Sequence, residues 1–379
     1  MKIIINAASL SATGATQVSV SFINECILHS DNEYHVFISN TVSSQIDLKS
    51  FPPNFKFYLF EGTPYSFSNG FSIIKQLKKL EIKINPDCVF TVFGPSVWTP
   101  NAPHLMGYAY PYYVYPESPF FNIISKKLKI KISIYKFIHR YFLNRNGKYY
   151  VCESEDVSSR LPAYLGTGNN QIFTVTNTCN NYFNDFKPTG KILLPQKKQN
   201  EFRFVTLSSF ARHKNLSILN AVIPILKRKL PEINFKFVLT VDQNLFKTRF
   251  TEEAQAHIYN LGRIKVSDCP QVYYESDALF LPTLMECFSA SYPEAMKMGK
   301  PIITSDLPFA TTVCDTAAIY FDPIDANDIA DKILRLVQEQ PLREDLILKG
   351  YERLLTFDTA EMRATKYLEI CKKISTPKQ

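Results

Sequence analysis

Two acidic side chains, Glu286 and Glu294, stand eight positions apart in the stretch Leu281-Pro-Thr-Leu-Met-Glu286-Cys-Phe-Ser-Ala-Ser-Tyr-Pro-Glu294-Ala-Met-Lys-Met-Gly299. Ahead of them, Ala278-Leu-Phe-Leu281 reads as a buried strand; small polar residues then make a loop, and an Ala/Met-rich helix follows and stops at Gly299. Such a strand–loop–helix unit leaves N–H groups without partners where the helix begins, which favours an anion there. One carboxylate falls in the loop and the other in the first helical turn. That arrangement suits a ligand with a diphosphate in its middle and hydroxyl-bearing sugars at its ends. A plainer reading stands beside it: Ser291-Tyr-Pro-Glu294 is also a capping box, with Ser291 as N-cap and Glu294 reaching back to it. Glu286, just after a strand of an open α/β sheet, sits where such sheets bind ligands.

The elements that must position these residues alternate along the whole chain, short β-rich runs with helical patterns, which predicts parallel sheets in α/β layers. In the first half strands are expected at 2–6, 34–38, 55–59, 88–92, 104–109 and 149–152, and helices at 17–29, 72–80, 122–142 and 155–165. In the second half strands are expected at 203–208, 236–240, 258–261, 278–281, 301–304 and 318–321, with helices at 216–230, 272–276, 292–298, 326–338 and 342–355. Residues 187–200 have the Pro, Gly and Lys content of a linker, and 359–374 is a further amphipathic helix.

The segment around Glu286 and Glu294 resembles the E-x7-E signature of the retaining glycosyltransferases of family 4, and the likeness is best over about residues 200–330. In that family the first Glu lies beside the donor sugar, the intervening amides hold the phosphates, and the second Glu binds the ribose. The resemblance gives these roles to Glu286, to the amides of Phe288, Ser289, Ala290 and Ser291, and to Glu294. The family's loop often reads Glu-Gly-Phe-Gly; here Cys287 and Ser289 replace both glycines and leave less backbone freedom. Family members clamp the diphosphate with an Arg and a Lys. In Ser208-Ser-Phe-Ala-Arg212-His-Lys214-Asn215 the Lys position is filled by Lys214, while the Arg position falls on Ser209, so Arg212 stands in from a different angle. The same residues also read as a solvated loop with Asn215 as helix cap.

The first half matches more weakly, through Ala8-Ser-Leu-Ser-Ala-Thr-Gly14, Phe93-Gly-Pro-Ser96, Gly107-Tyr-Ala-Tyr-Pro111 and Glu153-Ser-Glu-Asp156. Gly14 is expected in the loop after the first strand, where it lets backbone amides approach a bound ligand; it belongs to no G-x-G-x-x-G fingerprint. Where relatives carry a His near the donor sugar this chain has Ala109, which leaves Tyr108 and Tyr110 as acceptor-side candidates and His104 facing away.

The resemblance therefore implies an α/β protein of the GT-B class, two Rossmann-like domains with parallel sheets facing a central cleft. Residues 1–186 would form the acceptor domain, 187–200 the linker, 201–358 the nucleotide-sugar domain, and 359–379 a C-terminal helix crossing back to the first domain. It also implies a metal-independent, retaining transfer of a sugar from a nucleotide-diphosphate sugar to the hydroxyl of a saccharide or lipid-linked saccharide. Capsule, O-antigen or exopolysaccharide assembly in bacteria is the setting, with no cofactor beyond the donor. No D-x-D occurs, so a carboxylate-held metal is not expected. Two other readings stay open: a nucleotide-sugar epimerase of the same architecture, and a catalytically silent binding partner. Cys287, Ser289, Ser209 and Ala109 keep the last one alive.

Composition narrows the setting. The 379 residues suit about two domains, and 45% hydrophobic with 21% charged is ordinary for a globular chain. With 29 Phe and 21 Tyr against one Trp, the usage resembles an AT-rich bacterial genome. The eight scattered cysteines form no C-x-x-C pair and read as buried thiols of a reducing compartment. The N-terminal apolar run is too short for a signal peptide and no stretch is long enough to span a bilayer, so a cytoplasmic protein is expected. The net charge of +8 is concentrated: no acidic residue lies between Glu117 and Glu153, while Lys126, Lys127, Lys129, Lys131, Lys136, Arg140, Arg145 and Lys148 do. Ile124, Leu128, Ile132, Tyr135, Ile138 and Phe142 recur among them at helical spacing, although Lys129-Ile-Lys-Ile also alternates as a strand would. Segment 124–148 therefore reads either as a basic amphipathic helix on an anionic membrane, peripheral at its inner face, or as the solvated outer side of a domain helix. Nothing interleaves these charges as a nucleic-acid module would.

Overall fold

The computed structural model describes residues 1–11, 13–62, 65, 70–168, 170–188 and 190–376. Residue 12, within the motif that follows the first strand, and residues 377–379 lie outside the described residues. The chain divides into two compact units: Met1–Val114 with Lys126–Asn177 and Asp358–Gln379 (unit 1), and Tyr115–Ser125 with Thr178–Phe357 (unit 2).

Unit 1 is built on seven strands: β1 (Lys2–Ala7), β2 (Glu33–Ser39), β3 (Phe55–Phe60), β4 (Cys88–Thr91), β5 (His104–Gly107), β6 (Tyr149–Cys152) and β7 (Gln171–Thr174). All pair in parallel, in the order β3-β2-β1-β4-β5-β6-β7. Strand β1 lies inside the sheet between β2 and β4, and its run Ile3-Ile-Ile5 is fully buried, the continuous apolar pattern of a parallel sheet covered on both faces. The helix Ala360–Ser375 belongs to this unit: Tyr367 meets the rings of Phe22 and Phe90 at 5.3 and 5.0 Å. Strand β7 escaped the sequence reading because, as a half-exposed edge, it carries no continuous apolar run.

Unit 2 repeats the plan with β8 (Glu201–Thr206), β9 (Asn234–Leu239), β10 (Ile258–Asn260), β11 (Ala278–Leu281), β12 (Ile302–Ser305) and β13 (Ala318–Phe321), parallel and ordered β10-β9-β8-β11-β12-β13. Both sheets are Rossmann-like: the order reverses beside the first strand of each, between β1 and β4 and between β8 and β11. Ligands of open α/β sheets sit outside the strand C-termini at such a switch point. In unit 2 the two loops that leave this point are residues 207–215 and 282–290.

Three segments differ from the sequence expectation, the first being residues 178–186, which were expected in the first domain and belong to unit 2. Residues 115–125 belong to unit 2, where Ser118 Oγ donates to Leu284 O at 2.7 Å and the Tyr115 ring lies 6.1 Å from that of Phe309. The segment 187–200, linker-like in composition, is stitched to unit 2. Glu275 accepts from the amides of Leu193 and Leu194, Lys191 pairs with Asp268, and Lys197 pairs with Asp277. Composition reports how polar a segment is, not whether distant carboxylates receive it.

Candidate functional site

The site is assembled where the two switch-point loops of unit 2 meet. After β8 the chain makes a 3-10 turn, Arg212–Lys214, and closes it with Asn215 in the left-handed region at φ 55°. Asn215 does not cap a helix with its side chain as expected; its Nδ2 donates to Pro323 O at 2.8 Å and fastens the loop to the chain beyond β13. The turn exposes His213 O, which accepts from Leu284 N at 2.7 Å and has Thr283 Oγ1 at 3.0 Å. Thr283 Oγ1 also lies 3.1 Å from Glu286 Oε1; its one proton serves either neighbour. Lys214 Nζ forms an ion pair with the same Oε1. With Ser118 holding Leu284 O, the loop bearing Glu286 is braced from two segments distant in sequence, one at Ser118 and one at the turn His213–Lys214.

Glu286 is 8% exposed, so its carboxylate is buried but reaches the surface beside Lys214. Burial pushes the His213 imidazole below its ordinary value, despite the nearby Glu286 carboxylate that opposes the shift. Cys287 and Ser289, which stand where the related loop has glycines, are both buried, and neither has positive φ. The loop thus closes without the left-handed conformation that would demand glycine. Phe288 and Ala290 are half-buried, and the Phe288 ring meets Phe357 edge-on at 6.2 Å.

Glu294 corrects the capping-box reading. The helix is Ser291–Lys297, the cap position is Ala290, and no side chain caps it, because Ser291 is already helical. Glu294 Oε2 instead accepts from the Tyr273 hydroxyl at 3.2 Å, and burial pushes the carboxyl up to about 7. The helix ends as expected at Gly299, φ 60°, where a Cβ would come within 2.3 Å of the Tyr351 hydroxyl. Arg212 is exposed, so of the two cations only Lys214 is brought to Glu286. Sequence reasoning missed Thr283, Ser118, His213 and Tyr273; their common signal is contact with the Glu286 loop or Glu294, which no local pattern carries.

In unit 1, Gly14 lies in the first turn of the helix Thr13–Glu25 rather than in a loop; it is exposed, and a Cβ there would meet nothing of the protein within 4 Å. Tyr108 is 1% exposed, with its hydroxyl donating to Tyr110 O at 2.9 Å, so it is a core side chain and not an acceptor contact. Tyr110 is half-buried and stacks on Tyr113 with ring centroids 5.6 Å apart. His104 is also buried: Nδ1 faces Asn146 O at 2.7 Å and Nε2 faces Thr91 Oγ1 at 2.8 Å. Burial pushes its imidazole down to about 4.

That shift predicts a pH dependence. Unfolded, His104 binds its proton near 6.5; folded, only near 4. Between these values the unfolded state binds more protons, so stability is complete above the upper value and declines as pH falls towards the lower, by up to about 3 kcal/mol. Urea midpoints at neutral and mildly acid pH should show this loss, and His104→Gln should flatten it. Parallel slopes for the two proteins would place the acid sensitivity elsewhere. Among the described residues no cluster of three or more His, Cys, Asp and Glu side chains could hold a metal ion.

With this geometry established, the comparisons with known proteins bear on it. Residues 194–353 match the family model Glycosyl transferases group 1. The matched span falls within unit 2. Both switch-point loops, with Lys214, Glu286 and Glu294, lie inside the matched span. A 97-residue stretch is 28% identical to O-antigen chain mannosyltransferase B of Escherichia coli, covering 26% of this chain; it spans about a quarter (26%) of the length of that relative. The whole chain superposes on a glycosyltransferase from Rickettsia africae ESF-5 with a TM-score of 0.73, 17% identity, and coverage of 100% of this chain and 99% of the other. It also superposes on Anabaena Alr3699/HepE, a structure in complex with UDP and glucose, with a TM-score of 0.69, 13% identity and coverage of 98% and 99%. The fold is thus the two-domain Rossmann-like architecture of GT-B glycosyltransferases, as expected.

Proposed function

We propose that this chain is a glycosyltransferase that moves a sugar from a nucleotide-diphosphate sugar to an acceptor hydroxyl. Transfer would proceed with retention at the anomeric carbon and without a metal or other cofactor. The observation that carries this reading is the pairing of Lys214 with Glu286 at the switch point of unit 2, within the span that matches the group 1 model. In the proposed reaction the bond from the anomeric carbon to the diphosphate breaks as the acceptor oxygen bonds on the same face, and the acceptor proton passes to the departing phosphate oxygen. Glu286 orients the donor sugar and meets the positive charge developing on it. Lys214, with Arg212 reaching from the surface, neutralises the leaving diphosphate; such fixed charge is worth most where water is thin. The amides of Phe288–Ser291 face the phosphates and Glu294 takes the ribose hydroxyls. Unit 1 supplies the acceptor side, with Tyr110 as its remaining candidate. The E. coli relative, a mannosyltransferase of the O-antigen chain, supports a saccharide or lipid-linked saccharide acceptor in surface-polysaccharide assembly.

A thermal-shift panel of nucleotide sugars followed by transfer assays tests the reading. Stabilisation by a donor together with transfer to a saccharide supports it; no response to any nucleotide sugar overturns it. Donor binding without turnover across an acceptor panel would favour the silent-partner alternative. A sharper expectation concerns Glu294. A ribose hydroxyl donates best to the ionised form, and with the carboxyl near 7 that form predominates only above neutrality. Nucleoside diphosphate should therefore bind roughly tenfold tighter one unit above that value than one unit below. The phosphate itself titrates nearby, so the readout is the difference between wild type and Glu294→Gln by calorimetry. An identical pH dependence in both would remove Glu294 from the ribose.

A further inference from the structure

The helix Lys126–Asn146 of unit 1 carries two apolar stripes, and the protein covers only one of them. The stripe expected from sequence is largely the inner one: Leu128, Ile132 and Phe142 are half-buried, with Leu143 fully buried. Polar contacts fix this side. Lys136 Nζ donates to Tyr113 O at 3.2 Å, Arg140 Nε to Leu165 O at 2.9 Å, and Asn144 Nδ2 to the same oxygen at 2.9 Å. Ile124 precedes the helix and belongs to unit 2.

A second stripe points away. Ile130, Ile134, Phe137 and Tyr141 follow one another at intervals of four, three and four residues, the spacing of one helix face. They are exposed by 62%, 54%, 75% and 54%. Lys129, Ser133 and Ile138 border a shallow groove along them. Folding gives no reason for this row, since a helix face meant for water is made polar. Nor is it an isolated exposed leucine of the kind every surface shows.

Charge identifies what it meets. Of the eight cations in this acid-free segment, Lys136 and Arg140 are engaged inward. Lys126, Lys127, Lys131, Arg145 and Lys148 are exposed. At 3.6 residues per turn, Lys126 and Lys129 lie to one side of the row, and Lys127, Lys131 and Arg145 to the other. An apolar row between two basic margins, with aromatic rings in or beside it, matches an interface whose surface is anionic and whose interior is hydrocarbon. A solvated face would lack the row; a second copy of the chain would bring the same positive charge against itself. Among the described residues no helix is long and apolar enough to cross a membrane.

We propose that this face docks unit 1 on an anionic lipid bilayer. Ile130, Ile134, Phe137 and Tyr141 enter the interfacial layer, and Lys126, Lys127, Lys131 and Arg145 meet the headgroups. The proposal does not rest on the glycosyltransferase reading, because binding is measured without turnover.

Co-sedimentation of the full chain with vesicles is the test. The protein should pellet with equal parts phosphatidylcholine and phosphatidylglycerol, stay in solution with phosphatidylcholine alone, and be released by raised salt. Ile134→Asp/Phe137→Asp should lower partitioning at least about tenfold, since each change removes a large apolar anchor. Phe137→Ser alone should give an intermediate loss, and Lys127→Glu/Lys131→Glu a loss comparable to the double aspartate variant. Leu348→Asp, at an apolar residue of unit 2 that is 63% exposed, should bind as wild type. Unchanged far-UV circular dichroism and melting temperature check each variant's fold. Failure of the wild type to pellet with the anionic vesicles overturns the proposal, as does wild-type partitioning by the Ile134/Phe137 variant. A wild-type dimer that Phe137→Asp dissociates, with no lipid binding, would assign the face to a second copy instead.

Discussion

Glu286→Gln is expected to lower turnover by two to four orders of magnitude while the protein stays folded. The amide keeps the volume of the carboxylate and can still accept from Thr283, whose hydroxyl lies 3.1 Å from Oε1, so the loop keeps its brace. The Leu284 amide bond to His213 O and the Ser118 bond to Leu284 O do not involve the side chain at all. What disappears, in the proposed reaction, is a fixed negative charge beside a carbon that would become positive as its bond to the diphosphate breaks. An interaction made mainly in the transition state appears in kcat far more than in KM. Single groups of this kind are worth roughly a hundredfold to ten-thousandfold. Steady-state kinetics against the best donor, with a thermal melt on the same sample, gives the answer. Turnover close to wild type would take Glu286 out of the chemistry; equal losses of melting temperature and activity would make it a structural residue.

Glu201→Leu is expected to destabilise unit 2 by about 3–5 kcal/mol, the cost of stranding one member of a buried ion pair. Glu201 and Arg203 are two apart on β8 and so share a face, and their side chains are 0% and 3% exposed. Arg203 Nε pairs with Glu201 Oε1, another guanidinium nitrogen donates to Pro195 O at 2.6 Å, and the Tyr259 ring centroid lies 5.6 Å away. Removing the carboxylate leaves the guanidinium charged in a place water does not reach. The double variant Glu201→Leu/Arg203→Met removes both charges and should recover much of the loss. Because a chain of two units need not unfold in one step, hydrogen exchange at the β8 and β9 amides is the appropriate measure. A double variant no better than the single one would trace the cost to packing rather than to the lone charge.

The same pair shows how far sequence reading reaches. Strand β8 was legible from its Phe and Val content, yet the function of its charged residues was not, since Arg203 holds down Pro195 in a stretch that reads as linker. The βα alternation of both halves was legible because the apolar period survives in each element; the half-exposed β7 was lost because nothing continuous marks an edge. Glu294 was legible as an acid in a first helical turn, but its competing role as a cap was removed only by seeing the helix start at Ser291 and Tyr273 take the carboxylate. Tyr108 and Gly14 were placed in the right segments and given the wrong surroundings, one in the core and the other inside a helix.

By itself the sequence determined the kind of sheet, the order of its elements, and the two acids held eight residues apart on one strand–loop–helix unit. Those properties are local: a run of side chains within a few residues sets period, turn and cap. Tertiary structure decided which groups meet: Lys214 with Glu286 across 72 residues, Ser118 with Leu284 across 166, and which of two stripes on Lys126–Asn146 is covered. Period shows that a helix has an apolar face, but burial depends on what packs against it. That partner lies elsewhere in the chain, and only folding brings it there.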